Sequence, residues 1–138
     1  MIPRFQNILV PVDFTEKNWV ALDIAFENAV VNKAAVTLLH VIETIDGGDF
    51  DDDLDVKEFY RRFKDRANRE LETMGQRFVE AGIDVQLKIR FGKRVAEIIN
   101  YSADHSTDLL VMSSHSLVDR NPAASVVTLS YQVSLLCE

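Results

Sequence analysis

Residues 110–117 read LVMSSHSL, an apolar run that ends in two serines, a histidine and a third serine. Two chemistries are open to such a set. Ser114 and His115, with Asp108 or Asp119, have the types of a nucleophile, a base and an orienting acid. A triad of that kind needs a strained elbow and an oxyanion hole, and this segment lacks the glycines that flank a hydrolase nucleophile. The residues therefore describe a polar turn after a buried strand, and no enzymatic activity is expected. The second chemistry is anion binding, because the turn leaving a strand of a doubly wound sheet is where a ligand sits. Glycine is the usual residue for cradling phosphate there. Here serine stands in its place.

Other chemically capable residues are scattered. His40 lies inside an apolar run and His105 at the end of a helical stretch, where it suits the helix dipole. No pair of histidines and no cysteine–histidine set has metal-ligand spacing. Asp49, Asp51, Asp53 and Asp55 alternate as in a calcium loop, but Leu54 occupies the sharp-turn glycine position and Tyr60 the closing glutamate position. No metal is expected. The stretch 43–58 holds eight acids against one lysine, which accounts for the whole net charge of −7. It reads as a solvated loop after the second strand, over the crevice mouth, where it would repel a triphosphate.

The elements that must position these residues follow from pattern. The 138 residues, 47% hydrophobic and 27% charged, make one globular domain over 1–138 with a substantial core. No apolar run approaches the roughly 20 residues of a membrane span. The N-terminus lacks the features of a signal peptide, and Cys137 stands alone, as a small hydrophobe, so a cytoplasmic protein is expected. With the charge confined to one loop and the basic cluster 61–66 interleaved with acids, no nucleic-acid face is expected.

Four apolar runs, at 7–12, 35–42, 85–91 and 108–113, alternate with four stretches of helical period. The first, second and fourth runs are nearly continuous and predict strands buried on both faces. The third alternates strictly, with Val85, Leu87, Ile89 and Phe91 against Gln86, Lys88 and Arg90, and predicts an edge strand. Thr15 is placed to N-cap a first helix with Leu22, Ala25, Phe26, Ala29 and Val30 on its inner stripe. A second helix spans about 55–81, with Phe59, Phe63, Ala67, Leu71, Met74 and Phe78 inward and Gly82 ending it. A third spans about 93–105, with Val95, Ile98, Ile99 and Ala103 inward. A fourth starts near Asn121-Pro122 and carries Val126, Leu129, Val133 and Leu136. The fold class is α/β, a three-layer sandwich with a doubly wound parallel sheet in the order 3-2-1-4. That order reverses between strands one and four, so Asp13 and the serines should face each other across a crevice.

The blocks NILVPVDFTEKNWVALDIAFENA, VTLLHVIE, FGKRVAEIINYSADHSTDLLVMSSHS and VTLSYQVSLL, in this order and spacing, resemble a universal stress protein domain over nearly the whole chain. The resemblance implies a cytosolic α/β domain, acting in stress response and often homodimeric, in a family of which a subset binds ATP. In that subset an aspartate after the first strand and a valine near the end of the second hold adenosine; they match Asp13, beside Pro11, and Val41. Phosphates are held by a glycine pattern whose positions fall on Ser113, Ser116 and the pair Val127-Thr128. The expected crevice is thus Pro11, Val12, Asp13, Val41, Met112, Ser113, Ser116, Val127 and Thr128.

All three glycines are absent and only the hydroxyl of Thr128 matches. A Cβ at 113 and 116 disfavours the positive φ that lets N–H groups converge on an anion. A β-branched valine at 127, expected at a helix start, obstructs a docking phosphate. Asp119 repels phosphate and only Arg120 attracts it. The expectation is a regulatory binding domain with a degenerate nucleotide site, holding ATP or AMP weakly and needing no cofactor. Its expected partners are a second copy of itself and a further protein. The other reading is an ATP-binding switch in which serines replace the glycines. The family's usual fifth strand, after the last helix, has no counterpart before the chain stops at SLLCE, which leaves the fourth strand's edge to be covered by a partner.

Overall fold

The computed structural model describes residues 5–44, 54–113 and 124–128. The elements run β1 (Asn7–Pro11), α1 (Asn18–Asn32), β2 (Ala35–Glu43), α2 (Leu54–Glu80), β3 (Val85–Gly92), α3 (Arg94–Asp104), β4 (Leu109–Ser113) and β5 (Ala124–Thr128). They form one sheet in the order β3-β2-β1-β4-β5. The first four are parallel neighbours, as the buried runs require, and β3 is at the expected edge. Alternate residues of the inner strands feed two cores. Ile8, Val10, Val36, Leu38, Leu109 and Val111 face α1 and α2, meeting Leu22, Ala25, Leu71, Met74 and Phe78. Leu9, Leu39, Val41 and Leu110 point to the other face, where α3 supplies Ile98 and Tyr101. This is the three-layer sandwich.

The helices differ from the sequence reading chiefly in phase. The buried stripe of α1 is Asn18, Ala21, Leu22, Ala25 and Ala29, and Val30 is exposed. A polar residue and small alanines mark the inner side, which hydropathy alone does not weight. On α2, Tyr60 is buried while Phe59 and Phe63 are exposed. The stripe through Ala67, Leu71, Met74 and Phe78 reaches Tyr60 one heptad before Ala67, and Tyr60 packs edge-on against Phe91 at the end of β3. On α3 the inward residues are Ile98, Tyr101 and Ser102; Val95 and Ala103 face out. Gly82 does end α2 at a φ of 77°, with its N–H on the Val79 carbonyl and that of Ile83 on Phe78.

Residues 124–128 are a correction. Val126 was assigned to a fourth helix, and the structure places it in β5, antiparallel to β4 with Val126 opposite Val111. The run ASVVT is rich in β-branched residues and lies beside an apolar edge that needs pairing. The edge of β4 is thus covered from within the chain. The proposed helix start at Asn121-Pro122, and Leu129, Val133 and Leu136, lie outside the described residues.

Candidate functional site

At the carboxyl ends of the strands, β1 runs on past Pro11, with the Val12 N–H donating to the Leu39 carbonyl at 2.8 Å. The chain then turns sharply. Phe14 has a φ of 66°, a left-handed conformation that costs a side-chain-bearing residue roughly 1 kcal/mol or more. The turn is held from two directions. The Asp13 carboxylate accepts from the Thr15 N–H at 3.0 Å and from its hydroxyl at 2.6 Å. Thr15 therefore does not N-cap the helix: Lys17 holds that position, without a side-chain cap.

Asn18 holds the turn from below. Its Oδ1 accepts from the N–H groups of Asp13 (2.9 Å) and Phe14 (2.8 Å), and its Nδ2 donates to Ser113 Oγ at 2.9 Å. The Ser113 hydroxyl in turn donates to the Lys17 carbonyl at 3.3 Å. One buried amide thus ties the turn after β1 to the end of β4, across the point where strand order reverses. Two successive backbone N–H groups of the kind that gather an anion are filled by the protein's own side chain.

The cleft beside this tie is lined by Pro11, Val12, Asp13, Asn18, Leu39, Val41, Arg94, Ile98, Met112 and Ser113. Its floor is apolar. It holds about 60 Å³, whereas pockets that enclose a drug-sized ligand run roughly 300–1,000 Å³. Arg94, in the first turn of α3, brings a cation to the β3 side. Its Nε stands 3.8 Å from Glu43 Oε1, with both side chains largely exposed, so the pair is weak.

His40, on β2, supports the same turn. Its Nδ1 lies 2.8 Å from the Val12 carbonyl, which makes that nitrogen the protonated one, and its ring stacks on Phe14 with centroids 4.1 Å apart. Burial pushes its pKa below the ordinary value; the bond to Val12 opposes that, nearby Arg94 reinforces it and Asp13 opposes it.

Six of the nine residues singled out in the sequence come together here: Pro11, Val12, Asp13, Val41, Met112 and Ser113. Val127 and Thr128 do not. They pair with Leu110 and Leu109, and Thr128 lies opposite the start of β4, four residues back from Ser113. The correction has a simple cause, since a strand running antiparallel from Ala124 carries its later residues away from the cleft. Ser116 lies outside the described residues, as do Ser114, His115 and Asp119. Asp108 immediately precedes β4. At the amino end of β4, its carboxylate accepts from the N–H groups of Gln6 and Asn7. His105 closes α3, stacked on Tyr101 at 3.8 Å with Nδ1 3.0 Å from that residue's carbonyl.

Asn18 and Arg94 were not singled out in the sequence. A signal for Asn18 existed: it is a polar residue on the stripe it shares with Leu22, Ala25 and Ala29. For Arg94 the signal was a basic residue opening the helix that leaves the edge strand.

The model of the universal stress protein family matches residues 4–128. The chain belongs to that family. Among solved structures, this universal stress protein is similar to UspA from Lactobacillus plantarum, at 25% identity and a TM-score of 0.65 over 95% of this chain and 92% of that one. It shares its fold with a family member from Burkholderia pseudomallei, at 21% identity and a TM-score of 0.68 over 84% and 86% of the two chains. The same fold holds for a universal stress protein solved in complex with cAMP, at 17% identity and a TM-score of 0.63 over 84% and 78%. No curated protein matches the chain in sequence. Among the described residues, no helix is long and apolar enough to cross a membrane.

Proposed function

We propose that this universal stress protein is a non-catalytic regulatory domain of the stress response, cytoplasmic and homodimeric, whose cleft holds ATP weakly or not at all. The observation that carries this reading is the tie through Asn18. At the β4 end, where the family's ATP-binding subset uses glycine, the Ser113 hydroxyl is engaged with Asn18 and the Lys17 carbonyl. The N–H groups of Asp13 and Phe14 are engaged as well. Displacing these bonds to admit phosphate costs about 1 kcal/mol each, more where a buried donor is left unpaired. The Asp13 carboxylate on the same side adds repulsion. The output of such a domain is contact with a second copy or another protein.

Calorimetric titration of the nucleotide-stripped protein with Mg-ATP tests the reading. Little or no heat at micromolar ATP is the expected result. Saturable micromolar binding would overturn it and favour the switch.

A further inference from the structure

β3 lies at one end of the sheet, beside β2, and is half-exposed along its length where β1 and β2 are buried at their centres. The register fixes which way its backbone groups point. The Val36 N–H donates to the Asp84 carbonyl at 2.9 Å. Asp84, Gln86, Lys88 and Arg90 therefore turn their N–H and C=O groups towards β2, and Val85, Leu87 and Ile89 turn theirs outward. Among the described residues, no other strand or loop bonds to the outward amides of Leu87 and Ile89. The Ile89 carbonyl accepts a long bond, 3.5 Å, from its own neighbour Arg90. Such a row of backbone groups is a template for a further strand.

The side chains along this edge say what kind of strand it fits. Leu39 and Val41, the register partners of Lys88 and Arg90, lie in the core beneath α3, so Gln86, Lys88 and Arg90 project on that face. Among the described residues, no carboxylate forms an ion pair with Lys88 or Arg90. The Arg90 guanidinium stands over the ring of Tyr101, 5.2 Å from its centroid, which orients the group and leaves its charge available. β3 itself contains no acid; Asp84 precedes it, and Lys93 and Arg94 follow. On the opposite face, Val85, Leu87 and Ile89 pack partly against the core under α1 and α2. Gly75 marks the side of α2 that meets Leu87, and exposed Lys64 and Lys57 continue that side at helical spacing, together with Glu72. In a chain of net charge −7, both faces of this edge are thus lined mainly by cations.

Lys88 and Arg90 are two residues apart on an extended chain, roughly 6.6 Å. Carboxylates at alternate positions of a neighbouring strand repeat at that spacing, whereas residues two apart on a helix do not share a face. Two copies joined edge to edge would set one cationic row against the other, and like charges opposite one another are destabilising. The charges that exclude self-pairing are those that admit an acidic strand. We infer that the outer edge of β3 takes up an extended segment of another protein with acidic side chains at alternate positions. Its backbone bonds to Leu87 and Ile89, and its carboxylates meet Lys88 and Arg90. This inference rests on the proposed reading that the output of the domain is contact with another protein.

The probe is a short peptide, capped at both ends, that alternates glutamate with threonine or valine. Its controls are a peptide of the same composition with the glutamates contiguous, and the lysine counterpart of the alternating peptide. Binding is read from amide hydrogen exchange followed by NMR. At saturation the alternating acidic peptide should slow exchange at Leu87 and Ile89 by about tenfold or more, with little change at Lys88 and Arg90, whose amides already face β2. Lys88→Glu combined with Arg90→Glu should weaken that peptide by about tenfold or more and shift the preference to the lysine counterpart. The milder Lys88→Gln should weaken it by about two- to threefold, as should salt raised to about 0.5 M in the wild type. Binding without protection at Leu87 and Ile89, equal binding of the contiguous peptide, or no binding overturns the inference. Protection that grows with protein concentration in the absence of peptide assigns the edge to a second copy, which also overturns it. The reading of the nucleotide cleft is decided separately, by the ATP titration.

Discussion

On the β1–β4 side of the cleft, Asn18 is 1% exposed and has three hydrogen-bonded partners in two chain segments far apart in sequence. On the β3 side, Arg94 faces Glu43 across 3.8 Å with both side chains largely in water. The first arrangement is polar, buried and satisfied within the protein. It makes the turn rigid and the fold specific, and leaves little for a ligand to use. The second is charged, solvated and loosely paired, so it contributes little to stability. Two polar sites within one cleft thus do different work, and the difference is one of burial.

Three substitutions or conditions probe that contrast. Asn18→Ala should be the most damaging, because it strands the half-buried N–H groups of Asp13 and Phe14 and opens the tie to Ser113. A loss of about 3 kcal/mol is expected, read from the midpoint and slope of urea unfolding. A loss below about 1 kcal/mol would mean that water replaces the amide and that the β4 side is more open than described. Ser113→Ala removes one acceptor for Asn18 and one donor to the Lys17 carbonyl, with the turn itself still held. About 1 kcal/mol is expected in the same assay.

The smallest effect is proton-linked. Burial keeps His40 neutral in the folded protein, against the opposing bond to Val12, while Arg94 reinforces and Asp13 opposes that preference. The unfolded chain takes up that proton as pH falls through about 6.5, the ordinary histidine value. The contribution of His40 to stability is therefore complete above that pH. It declines below it, until the lowered folded pKa is passed. His40→Gln should flatten the fall in urea midpoint between pH 7.5 and 5.5, approximately the window in which histidine titrates and carboxylates do not. An unchanged slope would show that the histidine carries no differential protonation.

The Asn18 tie also alters what glycine replacement would achieve. Ser113→Gly removes a hydrogen-bonding side chain as well as a Cβ. Val127→Gly would weaken β5 opposite Leu110. Sequence spacing alone had put residues 113 and 127 on one phosphate site. The antiparallel register of β5 separates them.

What was legible in the sequence was whatever depends on burial along the chain. Continuous apolar runs marked β1, β2 and β4, strict alternation marked β3 as an edge, and Gly82 marked the end of α2. The strand order and the meeting of Pro11, Val12, Asp13, Val41, Met112 and Ser113 followed. Helix phase was less legible, because Phe59, Phe63 and Val95 are as apolar as the residues that turn inward. A hydropathy stripe one position off looks as good as the correct one until a neighbouring element selects it.

The sequence by itself determined the α/β class, the family and the side of the sheet that carries the cleft, since these depend on pattern and on residues close to strand ends. Tertiary structure decided the rest. It aimed Asn18 at Ser113, 95 residues away, put Val126 to Thr128 into a strand, and set Arg94 beside a floor built from β1, β2, β4 and α3. Each of these is a pairing between distant segments, whose geometry is fixed by packing and by the need to satisfy every buried polar group. Local propensity has no access to that requirement.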